Sequence, residues 1–221
     1  MDIQGLIPLG GTASRMKNIP KFLLPCKVNY SLLDNVIELF NKHNVNNIIA
    51  GVSESNSRLL YNYNGLHTIQ VNTKTMSETV YKMIENQSTI CKNILIMPDT
   101  YFTINNEIND MIHMLDTYDI VVILWKIKDY QFGKLGQCNV INGVLIDIKD
   151  KMLGCEYPYF WGVISWNSNM NRYIDPTWET IGDLIKISLD NNIKVGHIIS
   201  DGEYYDCGTY NEYFKMIKQH T

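Results

Sequence analysis

The stretch Gly10-Gly11-Thr12-Ala13-Ser14-Arg15-Met16, with Pro20-Lys21 behind it, gathers the residues of this sequence best suited to handling phosphate. Small residues let a backbone approach a polyphosphate closely and turn its N–H groups toward it. Arg15 and Lys21 supply the positive charge that a triphosphate requires. Asp99 is the second focus: it closes the apolar run Ile94-Leu95-Ile96-Met97-Pro98. The carboxyl end of a strand is where an open α/β sheet places its ligands. An Asp there also commonly caps a loop or helix, so position alone leaves both roles open. Other chemistries lack their patterns. Neither GxxxxGK[ST] nor GxGxxG occurs in the 10–21 loop. His43, His67, His113, His197 and His220 show no metal-ligand spacing, no GxSxG elbow exists, and no nucleophile is paired with a base. Covalent catalysis is therefore not indicated.

The elements that must position these groups alternate. Residues 3–9 read as a first strand that delivers the small-residue loop. Ser31 is placed to cap a helix running to about residue 43, with Leu32, Val36, Leu39 and Phe40 on one face. Strands follow at 46–52, 66–71, 93–98 and 119–125, with helices at 77–87 (Ser77 as cap, Glu78 in its first turn) and 105–115. This half reads as a doubly wound α/β unit with a mostly parallel sheet. Beyond it, segments 138–141 and 144–148 flank Asn142-Gly143, a strong hairpin signal. An aromatic-rich strand over 157–166, a helix over 178–189, a strand over 194–199 and a terminal helix over 210–218 complete the pattern. One domain over 1–221 is expected, with a nucleotide-binding half (1–126) and an acceptor-binding half (127–221).

Composition narrows the class. The chain has 221 residues, 45% hydrophobic, enough for one sizeable α/β domain. No apolar window is long enough to span a bilayer, and Met1-Asp2-Ile3-Gln4 lacks a basic signal-peptide region, so a soluble cytoplasmic protein without membrane partners is expected. The cysteines (26, 91, 138, 155, 207) are odd in number and form no CxxC, which predicts buried thiols rather than disulfides or a zinc knuckle. Net charge is −4, which argues against nucleic acid as a partner. Residues 1–30 nevertheless hold Arg15, Lys17, Lys21 and Lys27 against Asp2 alone. A basic loop on an acidic body suits a small polyanion.

Leu9-Gly10-Gly11-Thr12-Ala13-Ser14-Arg15-Met16, then Pro20-Lys21-Phe22-Leu23-Leu24-Pro25, resembles the signature of the sugar-phosphate nucleotidylyltransferases. That family opens with a small-residue loop, an Arg, and a Pro-Lys a few residues later. Ala13 departs from its usual glycine, and Pro8 from its usual aliphatic residue. The resemblance implies a three-layer Rossmann-like fold with a mostly parallel central sheet and a smaller added β element in the second half. It implies coupling of an NTP to a phosphorylated small molecule, a sugar 1-phosphate first among them, with pyrophosphate released. The product would serve nucleotide-sugar and polysaccharide biosynthesis. Arg15 and Lys21 would be catalytic, and Leu9, Gly10, Gly11, Thr12, Ala13 and Ser14 would bind nucleotide.

Further correspondences are partial. Asp99 matches the family's Asp for Mg²⁺, and Asp206, in Asp206-Cys207-Gly208-Thr209, resembles its second metal Asp, although that motif also fits a turn before the last helix. Ser77 and Thr79 stand where the family contacts base and ribose, and equally fit a helix cap. Lys151 occupies the place of an acceptor-phosphate lysine, with Lys149 a competitor. Trp161 and Gly162 resemble an acceptor-side segment, yet Tyr157, Tyr159, Phe160 and Trp161 also read as core. A non-sugar phosphate as acceptor, a cytidylyltransferase acting on it, a glycosyltransferase of similar architecture, and a non-catalytic nucleotide-binding regulator remain alternatives. The glycosyltransferase usually needs Asp-x-Asp, and Asp99-Thr100-Tyr101 lacks the second Asp. Oligomeric state is left open, a homo-oligomer included.

Overall fold

The leading apolar run forms β1 (Asp2–Leu9), buried from Gln4 to Leu9. In the computed structural model, which describes residues 1–11, 19–63, 65–87 and 89–220, β1 lies at the centre of the main sheet. Pro25–Lys27 (β2) and Tyr30–Ser31 (β3) form a small ribbon, followed by α1 (Leu32–Lys42), β4 (Asn47–Val52), α2 (Glu54–Ser57), β5 (Leu66–Gln70) and α3 (Met76–Ile84). Next come β6 (Cys91–Ile96), β7 (Thr100–Phe102), α4 (Glu107–Met114) and β8 (Ile120–Lys126). The second half adds β9 (Gly136–Ile141), β10 (Val144–Asp150), β11 (Tyr159–Asn167), α5 (Gly182–Asp190), β12 (Val195–Ser200), β13 (Tyr204–Asp206) and α6 (Tyr210–His220).

The sheet runs β10-β9-β11-β6-β1-β4-β5, with β8 on the other edge of β11 and β12 beside β8. β1 pairs in parallel with β4 and β6, β4 with β5, and β8 with β12. β11 runs antiparallel to both β6 and β8. Helices α1 and α4 pack on one face and α3 and α5 on the other, so the molecule is a three-layer α/β/α sandwich. The expected extra β element is the β9–β10 hairpin, which branches from β11, together with two two-stranded ribbons. Asn142 (φ +50°) and Gly143 (φ +76°) both take left-handed backbone at its turn, which favours the tight hairpin read from the sequence. All five cysteines are free and buried. Among the described residues no helix is long and apolar enough to cross a membrane.

Local chemistry sets the ends. Ser31 Oγ accepts from Asp34 N (3.1 Å) while Asp34 Oδ2 accepts from Ser31 N (2.7 Å), a reciprocal cap at the expected start of α1. Two helix starts depart from expectation. Thr75, not Ser77, caps α3: its Oγ1 accepts from Glu78 N at 3.1 Å, and Ser77 lies inside the first turn facing the core. The segment expected to be helical from residue 178 instead turns until Gly182. Asp175 Oδ1 accepts from Thr177 N (2.8 Å) and Oγ1 (2.7 Å), and Thr180 Oγ1 accepts from Gly182 N (2.9 Å). Such local side-chain bonds compete with the helical ladder. The terminal helix and β9 extend beyond the predicted bounds, and the β7–β13 ladder had no periodic signal.

Candidate active site

The parallel strands β1 and β6 end on the same edge, and a cleft of about 690 Å³ opens there. Its walls are the end of β1 (Pro8 to Gly11), Pro20 to Phe22, Ser55 with Asn56 and Leu59, Thr73 to Met76 with Thr79, and Met97 to Asp99. The turn out of β1 is tight. A Cβ on Gly10 would stand 2.9 Å from Thr79 Oγ1 and 3.1 Å from Thr73 Oγ1. Those hydroxyls hydrogen-bond to each other at 2.6 Å, and Thr79 Oγ1 also donates to Thr75 O at 3.1 Å. Asn56, buried on α2, donates from Nδ2 to Leu9 O (2.6 Å) and Gly11 O (3.3 Å). The backbone where β1 becomes the small-residue loop is thus held from two sides.

Lys21 enters from a short 3₁₀ turn (Lys21–Leu23) that follows Pro20. Its Nζ lies 3.2 Å from Asp99 Oδ2, both side chains being mostly buried. Asp206 reaches the same place by the β7–β13 ladder, where it stands opposite Thr100, and Cys207 N donates to Asp99 O at 2.9 Å. Asp206 Oδ1 accepts from Gly208 N at 2.9 Å, and a Cβ on Gly208 would lie 3.6 Å from Lys21 Nζ. Lys21 and Asp99 line the cleft, and Asp206 lies beside them. The surroundings register both acids. Burial first, then the charges of Asp206 and Asp99, push the Tyr204 phenol well above its ordinary range. Burial, then Asp99 and Asp206, likewise push up the Cys207 thiol.

Among the described residues no cluster of three or more His, Cys, Asp or Glu side chains could hold a metal. Asp99, in the turn before β7, and Asp206, at the end of β13, instead carry carboxylate oxygens that would fill part of an octahedral shell and leave the rest to phosphate oxygens and water. That donor set fits Mg²⁺.

The other predicted residues divide. Leu9, Gly10, Gly11 and Thr79 line the cleft. Thr12, Ala13, Ser14 and Arg15 lie outside the described residues. Ser77 is fully buried and does not line the cleft, its Oγ having no partner among the described residues. Lys151 is exposed just past β10 in left-handed backbone (φ +47°), away from the cleft lining. Its competitor Lys149 stands 5.2 Å over the Tyr157 ring. Trp161 packs in the core on the α3–α5 face. A Cβ on Gly162 would come within 2.4 Å of Tyr204 and 2.7 Å of Trp125, so this glycine makes room for a core aromatic cluster. Asn56, Thr73 and Lys74 were not singled out in the sequence. Asn56 could have been noticed only through Ser53, whose hydroxyl caps α2 and turns Asn56 inward.

No known protein-family profile matches the sequence, and no curated protein does. Solved structures do match the fold. A Bacillus anthracis protein assigned as a glucose-1-phosphate thymidylyltransferase, in complex with a sucrose, superposes with a TM-score of 0.84 at 17% identity, over 99% of this chain and 95% of that one. A UDP-glucose pyrophosphorylase from Acinetobacter baumannii gives 0.83 at 13% identity, over 99% and 93%. A UTP-bound form of that enzyme gives 0.81 at 14%, over 99% and 93%. The chain has the Rossmann-like fold of the sugar-phosphate nucleotidylyltransferases.

Proposed function

We propose that this protein is a nucleotidylyltransferase that joins a nucleoside triphosphate to a phosphorylated small molecule and releases pyrophosphate. The observation that carries the reading is the convergence of Lys21, Asp99 and Asp206 beside a cleft whose floor is the tight turn at Gly10. An acceptor phosphate oxygen attacks the α-phosphorus. The bond from that phosphorus to the bridging oxygen breaks, and pyrophosphate departs with the electron pair. Two polyanions must meet, so charge neutralisation precedes geometry. Lys21 stabilises the charge that develops around the α-phosphorus. Arg15, by its place in the sequence, holds the leaving group. Asp99 and Asp206 would hold Mg²⁺, which when bound supplies positive charge to phosphate oxygens. Gly10 lets the backbone come close to the nucleotide, and Thr79 lines the wall where base and ribose lie.

A sugar 1-phosphate is the first acceptor to try, and the product is then an activated precursor for transferases that build glycans. The glycosyltransferase reading is weaker. Tyr101, where a second metal Asp would stand, is buried in the core cluster under α6. The test is a pyrophosphate-release screen of the four NTPs and dTTP with Mg²⁺ against phosphorylated acceptors, phosphocholine included. Release with one NTP–acceptor pair is the expected result. Nucleotide binding without release from any pair indicates a regulator, and hydrolysis or transfer from a nucleotide sugar indicates a glycosyltransferase.

A further inference from the structure

A second groove of about 690 Å³ lies between α6 and the loop after β8. Asn211, Lys215 and Lys218 recur at i, i+4 and i+7 and so share one face of α6. Lys134 faces them from the loop that follows the 3₁₀ turn Asp129–Gln131, and Phe214, about half exposed, supplies an apolar wall. Glu212 is the one acid among the lining residues. It takes Lys215 at 3.2 Å, and Lys215 also stands 3.4 Å over the Tyr130 ring. Lys134 and Lys218 have no carboxylate within 4.0 Å among the described residues. A concave surface with an excess of positive charge concentrates anions.

The groove begins one residue along the chain from the Lys21 centre. Its Thr209 follows Gly208, whose Cβ position is 3.6 Å from Lys21 Nζ. β8 is antiparallel to β11, and β11 to β6, so the loop carrying Lys134 leaves the sheet at the same edge as Asp99. The cleft and the groove share no lining residue, and Trp161 and Gly162 are occupied by core packing. From this placement we infer that the acceptor is anionic at both ends: one phosphate reacts beside Lys21, Asp99 and Asp206, and a second phosphate or a carboxylate rests between Lys134 and Lys218. The inference rests on the nucleotidylyltransferase reading and narrows its acceptor.

The test compares three acceptors that share a hexose 1-phosphate: glucose 1-phosphate, glucuronic acid 1-phosphate and glucose 1,6-bisphosphate. With the NTP that the protein accepts, kcat/KM should be about tenfold higher for an acceptor with the second charge. Which of the two is preferred tells carboxylate from phosphate. K134Q/K218Q should bring the preference to within about twofold. Equal kcat/KM for all three in the wild type, or a preference that survives in the double variant, overturns the inference. If no pair releases pyrophosphate, the reaction reading fails, and calorimetry with glucose 1,6-bisphosphate judges the groove separately. Binding weakened about tenfold in K134Q/K218Q upholds an anion site. Binding that is absent, or equal in both proteins, overturns it.

Discussion

Lys21 Nζ lies 3.2 Å from Asp99 Oδ2, although 78 residues separate the two in sequence. The pair joins the 3₁₀ turn after Pro20 to the turn that follows β6. In the proposed reaction Lys21 is the oriented cation at the site of charge development, so Lys21→Ala should lower turnover on the order of 10²–10³-fold. Steady-state pyrophosphate release checks this, with circular dichroism confirming the fold. A variant as fast as wild type removes Lys21 from the mechanism.

Asp206→Asn keeps an oxygen that can accept from Gly208 N, so the turn survives while the negative charge is lost. Half-saturating Mg²⁺ should rise by roughly 10–100-fold, the scale for groups that hold or orient a metal, with thermal stability little changed. Asp99→Asn should behave alike. Identical magnesium titrations for the variants and wild type would remove both acids from the metal site.

Gly10→Ala should strain the Thr73–Thr79 hydroxyl pair, because the added carbon would sit 2.9 Å from Thr79 Oγ1. Overpacking of this kind costs about 1–3 kcal/mol. Thr79→Ala in the same chain removes the obstructing oxygen, so the double variant should be more stable than the sum of the single changes predicts. Strict additivity in denaturant melts counts against the contact.

Asn56→Ala deprives the buried carbonyl of Leu9 of its partner, and Gly11 O loses a second bond. Stability should drop by about 1–3 kcal/mol. The KM for nucleotide should rise as the loop loses its anchor. A loss of stability with nucleotide KM unchanged would confine Asn56 to a structural role.

The helix start at α3 makes a paired prediction. Thr75→Ala removes the cap and should cost about 1 kcal/mol. Ser77→Ala removes a buried hydroxyl that has no partner among the described residues and should be neutral or slightly stabilising. The reverse order in thermal melts would restore Ser77 as the cap.

The amino-acid sequence by itself determined the features whose causes are local. An uninterrupted apolar run made β1, Asn142-Gly143 made the β9–β10 turn, and Ser31 with Asp34 three residues on made the start of α1. Each depends on neighbours within a few positions, so pattern is enough to read it. The place of Lys21 after Pro20, in a short turn that follows the small-residue segment, was legible for the same reason. Hydroxyls that compete locally were harder: Thr75 and Ser77 are equivalent on paper, and only the burial of Ser77 against the sheet separates them. The aromatic stretch around Trp161 was ambiguous until Phe102, Trp125, Phe160 and Tyr204 met as one cluster.

Resemblance alone implied that Asp99 and Asp206 act together, and only the tertiary structure brings them side by side. β7 and β13 are three residues each, too short to show a period, and they pair across about a hundred residues of chain. Tertiary structure also decided that Asn56 holds the turn and that Lys134 faces Lys215 and Lys218 across a groove. The physical reason is common to all of them. These contacts exist only after the sheet has ordered its strands, and no short-range preference of the residues involved encodes which distant partner they will meet.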